Sequence, residues 1–336
     1  MVYEYPCEVS TTDNLSSLVR DLTEDQLVAH IARRFYLEDE SKVAIAKSLG
    51  LSRFKVARLL ATGQEKGIVR IEILEPTTDL PTFSTPLAKH LSLNHVRVID
   101  SRGDAGQIRA QLGAMAAQYL AQQSSSGQTI GIGWGRTMTE VARHLPPLAM
   151  VTAVQIMGAT HESSPQFPIE IIRDMIEVNG GTAHSIFEPL YVGESTELQR
   201  RIRGLTYELG LFDHLDTAVL SIGSWAPPTT QLRESLPPIL RQRLDASNPA
   251  AEIGGIWLSH DATVVCPEIT RQCITIAPHQ LLETPEVLAV AGGQEKADAI
   301  YATARSGLLT SLVTDRRTAE CLLERKPVIN PTFKRL

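Results

Sequence analysis

The sequence predicts an α/β protein in which a small winged helix-turn-helix domain precedes a large, doubly wound α/β domain. Three closely spaced helical patterns stand before residue 66, and after residue 86 short apolar runs alternate with helical stretches. Strands that alternate with helices are typical of a largely parallel sheet covered on both faces. The length of 336 residues suits one small and one large domain. We predict a flexible arm over 1–22, a helix-turn-helix domain over 23–75, a linker over 76–86 and the large domain over 87–336.

The first predicted helix follows a capping box. In the segment 23–26, the Thr23 hydroxyl and the Gln26 amide can satisfy free backbone N–H groups reciprocally. Leu27, Ile31 and Phe35 then recur at helical spacing. This pattern predicts a helix that ends near residue 38.

Two further helices follow, joined by a tight turn. Ser41 can cap the second helix, and Gly50 can adopt the left-handed conformation that ends it. Ser52 can cap a third helix that runs to about Gln64, and the alternating residues 68–73 predict a strand. The order helix, glycine turn, helix and strand is that of a winged helix-turn-helix.

Positive charge is concentrated in this segment. Residues 41–70 contain seven lysines and arginines and one acidic residue, so the segment carries +6. The whole chain carries −6, which leaves −12 on the remainder. Such asymmetry is the electrostatic pattern of a module that attracts phosphate, so we predict that the first domain binds double-stranded DNA.

The front of the third helix carries side chains that can read base edges, because this end of a recognition helix enters the major groove. Arg53 and Lys55 can donate to guanine, and Phe54 can pack on a thymine methyl group. Neighbouring polar side chains are better placed to contact phosphates. The predicted DNA-binding residues are Lys42, Lys47, Ser52, Arg53, Phe54, Lys55 and Arg58. Alternatively, 41–64 are two basic amphipathic helices on a solvated surface, or part of a winged helix that binds protein.

A proline-rich stretch separates the two domains. Pro76, Pro81 and Pro86 stand among threonines and serines, a composition typical of loops. This composition predicts the linker over 76–86.

Polar, glycine-rich turns follow several predicted strands of the large domain. Residues 131–137 end one strand and begin a helix, whose free N–H groups attract anions, and Arg136 adds a planar donor fork. Lys296 follows a glycine pair after another strand, and Gln155 and Thr314 end two more. Because ligands bind at the carboxyl ends of parallel strands, we expect these residues to converge on one anionic ligand. Each segment could also be a tight turn without a ligand.

Together these motifs resemble, in order, the SorC family of sugar-responsive transcriptional regulators. The resemblance implies a large domain like those of ribose-phosphate isomerases and glucosamine-phosphate deaminases, used for sensing rather than catalysis. It also implies homodimers or homotetramers that bind an operator with an affinity modulated by a small phosphorylated sugar. The matching segments are 45–53, 58–60, 65–71, 133–137, 154–158, 290–300 and 312–319, within about 25 to 325.

The resemblance also assigns residues to the ligand. The phosphate side falls on residues 133–137, with Lys296 facing them. Residues 251–255 stand where the family usually has a Gly-Asp-Ile segment, so Glu252 replaces the aspartate expected near the sugar hydroxyls. The predicted effector-binding residues are Gly133, Gly135, Arg136, Thr137, Gln155, Glu252, Lys296 and Thr314.

The main alternative is a sugar-phosphate isomerase or deaminase with an appended helical domain. Such an enzyme needs a general base beside the reacting carbon. Glu252, Asp261 and Asp315 are conceivable bases, but no Asp/His pair or histidine-rich loop follows the glycine-rich turns. We therefore predict a regulator rather than an enzyme.

Several partners are not expected. No apolar run approaches the ~18 residues that cross a bilayer, so we predict no membrane association. The four cysteines are widely spaced and form no metal-ligand pattern. We predict a cytoplasmic protein without a metal or cofactor.

Overall fold

The computed structural model describes residues 23–69, 78–159, 179–193 and 195–333. Between 160 and 178 it describes only Ile169, Arg173, Ile176 and Glu177. The chain divides into two compact units, one before residue 75 and one from residue 75 onwards. The predicted arm over 1–22 and residues 70–73 of the predicted wing strand lie outside the described residues.

Over residues 23–69, the first unit contains three helices, α1 (Glu24–Tyr36), α2 (Lys42–Leu49) and α3 (Arg53–Glu65). The predicted capping box of α1 is confirmed, and α2 and α3 are each capped by a serine hydroxyl as predicted. Gly50 ends α2 with a φ of 65°, a left-handed conformation that glycine adopts without steric cost. The three helices bury a small apolar core, which includes Val28, Ile31, Ile45, Leu49, Val56, Leu59 and Leu60.

The second unit opens with a helix that the sequence did not predict. Residues 81–86, assigned to the linker, instead form the first half of α4 (Pro81–Leu91). Pro81 is tolerated at the helix start because its missing N–H would have no partner there. Leu87 and Leu91 are fully buried in the main apolar core, so packing stabilises the helix despite the internal Pro86. Residues 76 and 77 lie outside the described residues.

A predominantly parallel sheet forms the centre of this unit. Seven strands lie in the order β1-β9-β8-β5-β2-β3-β4, and every neighbouring pair is parallel. The antiparallel hairpin β6–β7 pairs with the end of β5. Within the described residues the strands are β1 (His95–Ile99), β2 (Thr129–Ile132), β3 (Thr152–Gln155), β4 (Thr182–His184), β5 (Thr217–Ser224), β6 (Ala251–Ile253), β7 (Ile256–Leu258), β8 (Glu286–Val290) and β9 (Ser311–Asp315).

Helices cover both faces of the sheet. Successive strand residues point to opposite faces, so Leu220 and Ala289 enter one apolar core while Val219 and Leu288 enter another. This arrangement confirms the doubly wound α/β fold. Short 3-10 helices span Leu211–His214 and Gln294–Lys296. After α4, the α-helices within the described part of the chain are α5 (Ala105–Gln123), α6 (Arg136–His144), α7 (Ser195–Gly204), α8 (Thr206–Gly210), α9 (Leu232–Ser235), α10 (Pro238–Ser247), α11 (Pro267–Thr270), α12 (Pro278–Glu283), α13 (Ala297–Ser306) and α14 (Arg316–Leu323).

Helices α5 and α6 pack closely on the same face of the sheet. Gly113 of α5 is buried, and an added Cβ would lie 2.6 Å from Glu140 Cβ of α6. It would also lie 2.9 Å from the backbone nitrogen of Val141. The lack of a side chain at residue 113 therefore sets the close approach of the two helices. Among the described residues, no helix combines the length and apolar character needed to span a bilayer.

Replacing Gly113 with alanine is expected to destabilise the second unit by about 1–3 kcal/mol, because the methyl group overpacks the contact between α5 and α6. The free energy of unfolding should be measured by urea denaturation and far-UV circular dichroism. Gly210→Ala is the matched control, since no described atom lies within 4 Å of a Cβ at the end of α8. That control should be neutral or slightly stabilising. Equal stability of the two variants would contradict a tight contact at Gly113.

Candidate functional site

A cavity of about 430 Å³ lies at the carboxyl ends of the central strands, a size that suits a small-molecule ligand. The turns after β1, β2, β5, β8 and β9 all contribute to its wall. This is the position at which open parallel sheets bind ligands. Gly135 lines it together with charged and polar residues that include Arg102, Arg109, Arg136, Thr137, Thr230, Gln231, Glu252, Glu295, Lys296, Asp315 and Arg317.

The turn between β2 and α6 presents backbone N–H groups. Gly135 has a φ of 133°, which side chains rarely permit, and a Cβ there would lie 3.1 Å from Ser221 Oγ. Helix α6 then begins without a side-chain cap, so its first N–H groups lack acceptors within the helix and favour an anion. The Arg136 amide donates to Gln231 Oε1 at 3.2 Å. The exposed Arg136 guanidinium donates to the Thr229 carbonyl oxygen at 3.2 Å, which holds it at the cavity.

Lys296 is the cation whose charge depends most on its surroundings. It ends the 3-10 helix that follows β8, and its side chain is half-buried. Burial lowers the pKa of Lys296 to about 8, against the opposing effect of the Glu295 and Glu252 carboxylates. The positive charges of Arg136 and Arg109 lower this pKa further. An anion in the cavity would stabilise the charged form of Lys296.

Glu252 supplies a fixed carboxylate. It lies on β6 and is only 7% exposed. Its Oε2 accepts a hydrogen bond from the Thr230 hydroxyl at 2.8 Å, and its Oε1 accepts one from the Gly255 N–H at 2.8 Å. Burial raises the pKa of Glu252, and these two hydrogen bonds and the charge of Lys296 oppose the shift. The remaining lone pairs of the carboxylate can accept hydrogen bonds from ligand hydroxyl groups.

The structure brings together five of the eight predicted effector-binding residues and places three elsewhere. Gly133 lies in the sheet, where its N–H donates to the Val219 carbonyl oxygen at 2.9 Å and a Cβ would collide with Leu220. The Gln155 side chain is 2% exposed and donates to backbone carbonyl oxygens within the protein. Thr314 is fully buried. The five that line the cavity are Gly135, Arg136, Thr137, Glu252 and Lys296.

Sequence reasoning missed the contribution of β1 and α5. Arg102 and Arg109 line the cavity, yet neither was a candidate because β1 itself was not recognised. The signal was present, since the β-branched residues Val96, Val98 and Ile99 precede the polar, glycine-containing segment 100–104. This is the same pattern that identified the turn after β2. Arg317, at the start of α14, was missed although the neighbouring Asp315 was considered.

The first unit presents a basic surface at the front of α3. Phe54 is 86% exposed between two exposed cations. Ser52 Oγ accepts the Lys55 N–H at 3.1 Å and so caps α3. Lys42 is half-buried, with its Nζ 5.0 Å from the centre of the Phe35 ring. The other predicted DNA-binding residues, Lys47, Arg53, Lys55 and Arg58, are exposed.

Known proteins share this sequence pattern. Residues 76–324 match the family described as "Putative sugar-binding domain". The chain is 28% identical over 309 residues to the transcriptional regulator LsrR of Enterobacter sp. (strain 638), across 90% of this chain and 94% of that protein. It is 26% identical over 311 residues to the erythritol catabolism regulatory protein EryD of Brucella abortus (strain 2308), across 89% of this chain and 97% of that protein.

Solved structures share the fold. The full-length sorbitol operon regulator SorC from Klebsiella pneumoniae matches with a TM-score of 0.67 and 23% identity, over 90% of this chain and 99% of that one. A transcriptional regulator from Streptococcus pneumoniae TIGR4 matches with a TM-score of 0.65 and 20% identity, over 72% of this chain and 96% of that one. These similarities agree with the α/β fold and its N-terminal helical unit.

Binding of inorganic sulfate to the cavity is expected to weaken as the pH rises above about 8. Lys296 is charged below that pH and increasingly neutral above it, so binding must then be accompanied by uptake of a proton. The dissociation constant should be measured by isothermal titration calorimetry on both sides of this pH. Lys296→Arg is the control. Its guanidinium stays charged, so the affinity of this variant for sulfate should not fall as the pH rises. A parallel loss of affinity in the variant would mean that another group causes the dependence.

Proposed function

Because this chain belongs to the SorC family of sugar-binding transcriptional regulators, we propose that it binds double-stranded DNA through its first unit and a small phosphorylated sugar through its second. The observation that carries the proposal is the cavity in which Gly135, Arg136 and Thr137 meet Lys296 and Glu252. A helix start beside an arginine and a lysine suits a phosphate group. A buried carboxylate among polar side chains suits the hydroxyl groups of a sugar.

The first unit would read DNA with α3. Its exposed Arg53 and Lys55 can donate to guanine, and the exposed Phe54 can pack on a thymine methyl group in the major groove. Lys42 and Lys47 would contact phosphates, and Ser52 and Arg58 would complete the contacts on either side. Phosphate contacts fix the position of the helix, whereas base contacts select the sequence.

The ligand would regulate DNA binding by shifting the populations of two arrangements of the protein. A homodimer or homotetramer that exists in a DNA-competent and a DNA-incompetent arrangement moves towards the arrangement that binds the sugar phosphate more tightly. The change in operator affinity cannot then exceed the differential affinity of the ligand for the two arrangements.

The cavity would sense its ligand rather than convert it. Both carboxylate oxygens of Glu252 already accept hydrogen bonds from Thr230 and Gly255. These bonds hold the carboxylate in one position, and no Asp/His pair or histidine-rich loop, which a catalytic site could use, follows the glycine-rich turns. Fixed in this way, Glu252 serves as a hydrogen-bond acceptor for the ligand.

Arg53→Ala is expected to relax the choice of base at one operator position, with a cost of about 1–3 kcal/mol for a lost bidentate contact. Lys42→Ala should instead weaken binding to all sequences alike and reduce the slope of log affinity against log salt concentration. Both effects can be measured by fluorescence anisotropy with operator variants at several salt concentrations. A uniform loss for Arg53→Ala would reassign it to the phosphates. An unchanged salt slope for Lys42→Ala would remove Lys42 from the DNA contact.

Arg136→Ala is expected to keep operator affinity and to lose the response to sugar phosphates. A thermal-shift screen with a panel of sugar phosphates identifies the ligand, since one at ~100 times its dissociation constant stabilises the protein by ~2.7 kcal/mol. Loss of the charged hydrogen bonds of Arg136 should weaken that ligand by about 10- to 100-fold. The matched control is Arg143→Ala on the same helix, whose guanidinium pairs with Glu140 at 2.7 Å and does not line the cavity.

Two results would overturn this proposal. If operator binding by the Arg136→Ala variant still responds fully to the sugar phosphate, the ligand lies elsewhere. Chemical conversion of the ligand by the purified protein would show that the cavity is an active site.

A further inference from the structure

The second unit begins along the edge strand β1. In the strand order of the described sheet, β1 has β9 as its neighbour on one side. On its other side lie the first described residues of the unit, 78–80. Asp79 forms an antiparallel bridge with Ile99, and the Leu80 N–H donates to the Val98 carbonyl oxygen at 2.8 Å. This segment therefore pairs with backbone groups that an uncovered edge strand would expose.

The Asp79 carboxylate stabilises this pairing. Its Oδ1 accepts hydrogen bonds from the Val98 N–H at 3.1 Å and from the Ser84 hydroxyl group. Its Oδ2 accepts one from the Arg97 guanidinium at 3.1 Å. One carboxylate thus joins the segment 78–80 to the first turn of α4 and to β1. Hydrogen bonds of a charged group are stronger than neutral ones, and we call Asp79, Ser84 and Arg97 the edge clamp.

The edge clamp lies in the same row of the sheet as part of the cavity wall. Ile99 pairs with Asp79 on one side and with Asp315 of β9 on the other. Asp315 lines the cavity, and its Oδ2 accepts the N–H of Gly293, another lining residue, at 2.7 Å. Residues 101–103, just after Ile99, line the cavity as well. Paired backbone segments therefore connect residue 79 to the cavity turns that follow β1, β8 and β9.

A side-chain contact makes a second connection. Arg316 stands next to Asp315 at the start of α14, and its Cζ lies 5.3 Å from the centre of the Phe83 ring of α4. The Arg316 guanidinium also pairs with Glu320 at 2.9 Å, which keeps it on α14. A shift of the turn after β9 would therefore act on α4 as well as on the row of backbone pairs. Packed and hydrogen-bonded groups of this kind can carry coupling between sites.

We propose that the edge clamp carries the effect of a ligand in the cavity to the start of the second unit, the part of this unit that is nearest in the chain to the first. This role rests on the proposed function, because it gives a route by which the ligand changes DNA binding. A ligand that binds the turns after β1, β8 and β9 more tightly in one arrangement also favours that arrangement of Ile99 and Asp79. The coupling between two sites is a separate quantity from the affinity of either site. The clamp is therefore dispensable for binding and necessary for the response.

Hydrogen exchange followed by mass spectrometry tests this connection in the full-length protein, with inorganic phosphate as the probe and sodium chloride of equal ionic strength as the reference. Phosphate should slow exchange at residues 100–104 and at residues 78–84. Residues 278–284 lie outside the cavity wall and report any stabilisation of the whole unit, so only slowing in excess of theirs is counted. In Asp79→Ala the slowing at 100–104 should remain, whereas the excess at 78–84 should fall by about 5-fold or more, the lower range of coupling between sites.

Asp79→Asn and Asp298→Ala are the companion variants. Asparagine keeps an acceptor for the Ser84 hydroxyl but lacks the charge that faces Arg97, so it should lose part of the excess slowing. This milder change decides the test if alanine unfolds the unit. Asp298 pairs with Arg325 at 2.5 Å and does not line the cavity. Asp298→Ala removes an ion pair of the same unit without touching the clamp, so it should behave like the unmodified protein.

The response of DNA binding provides a second readout. The probe is the sugar phosphate that gives the largest thermal shift in the panel. Asp79→Ala should bind both this compound and the operator with the affinities of the unmodified protein, yet the compound should no longer change operator affinity. Arg136→Ala should also lose the response, but because it no longer binds the compound. Fluorescence anisotropy for the operator and calorimetry for the compound distinguish the two variants.

The outcomes separate the two proposals. If phosphate slows exchange at 100–104 alone in the unmodified protein, the role of the clamp is wrong and the anion site of the proposed function stands. The same holds if Asp79→Ala keeps the full excess at 78–84 or the full response on DNA. If phosphate slows exchange at neither segment of the unmodified protein, both proposals are wrong.

Discussion

The sheet of the second unit is parallel and buried on both faces, and this constraint determines where polar chemistry can lie. Alternate residues of the central strands enter two separate apolar cores, as Val219 and Leu220 do on β5. Neither face can hold an unpaired charge without a large desolvation cost. Polar side chains therefore collect at the edge where the strands end and the helices begin. The cavity lies at that edge, and five separate turns build it.

Burial at this edge disfavours the charged forms of Lys296 and Glu252, which line the cavity. It lowers the pKa of Lys296 to about 8 and raises the pKa of Glu252. Both shifts mean that the unliganded cavity disfavours its own charged forms. An anion in the cavity would stabilise the charged form of Lys296. The hydrogen bonds that fix Glu252 and Arg136 in place reduce the reorganisation that binding requires.

The elements that the sequence alone determined are those stabilised by interactions between residues close together in the chain. The caps at Thr23, Ser41 and Ser52 and the glycine turn at Gly50 satisfy backbone groups within a few residues, so their structure follows from their own sequence. The alternation of apolar runs and helical stretches likewise predicted a parallel sheet. The turn at 135–137 was recognisable because a glycine and an arginine between a strand and a helix form a pattern within a few residues of the chain. The clustering of basic residues is also a property of the chain itself.

Tertiary packing decided the features that depend on contacts between residues far apart in the chain. The proline-rich residues 81–86 form a helix because Leu87 and Leu91 are buried in the main apolar core, where α4 packs on β1 and on the distant helices α13 and α14. The Gln155 side-chain amide donates to backbone carbonyl oxygens, one of them 31 residues away, so it does not line the cavity. Arg109 lines the cavity from α5, and Gly113 of the same helix leaves room for the close approach of α6. Sequence patterns report the residues nearby in the chain, whereas strand order, helix spacing and burial depend on contacts between distant segments, which no local pattern encodes.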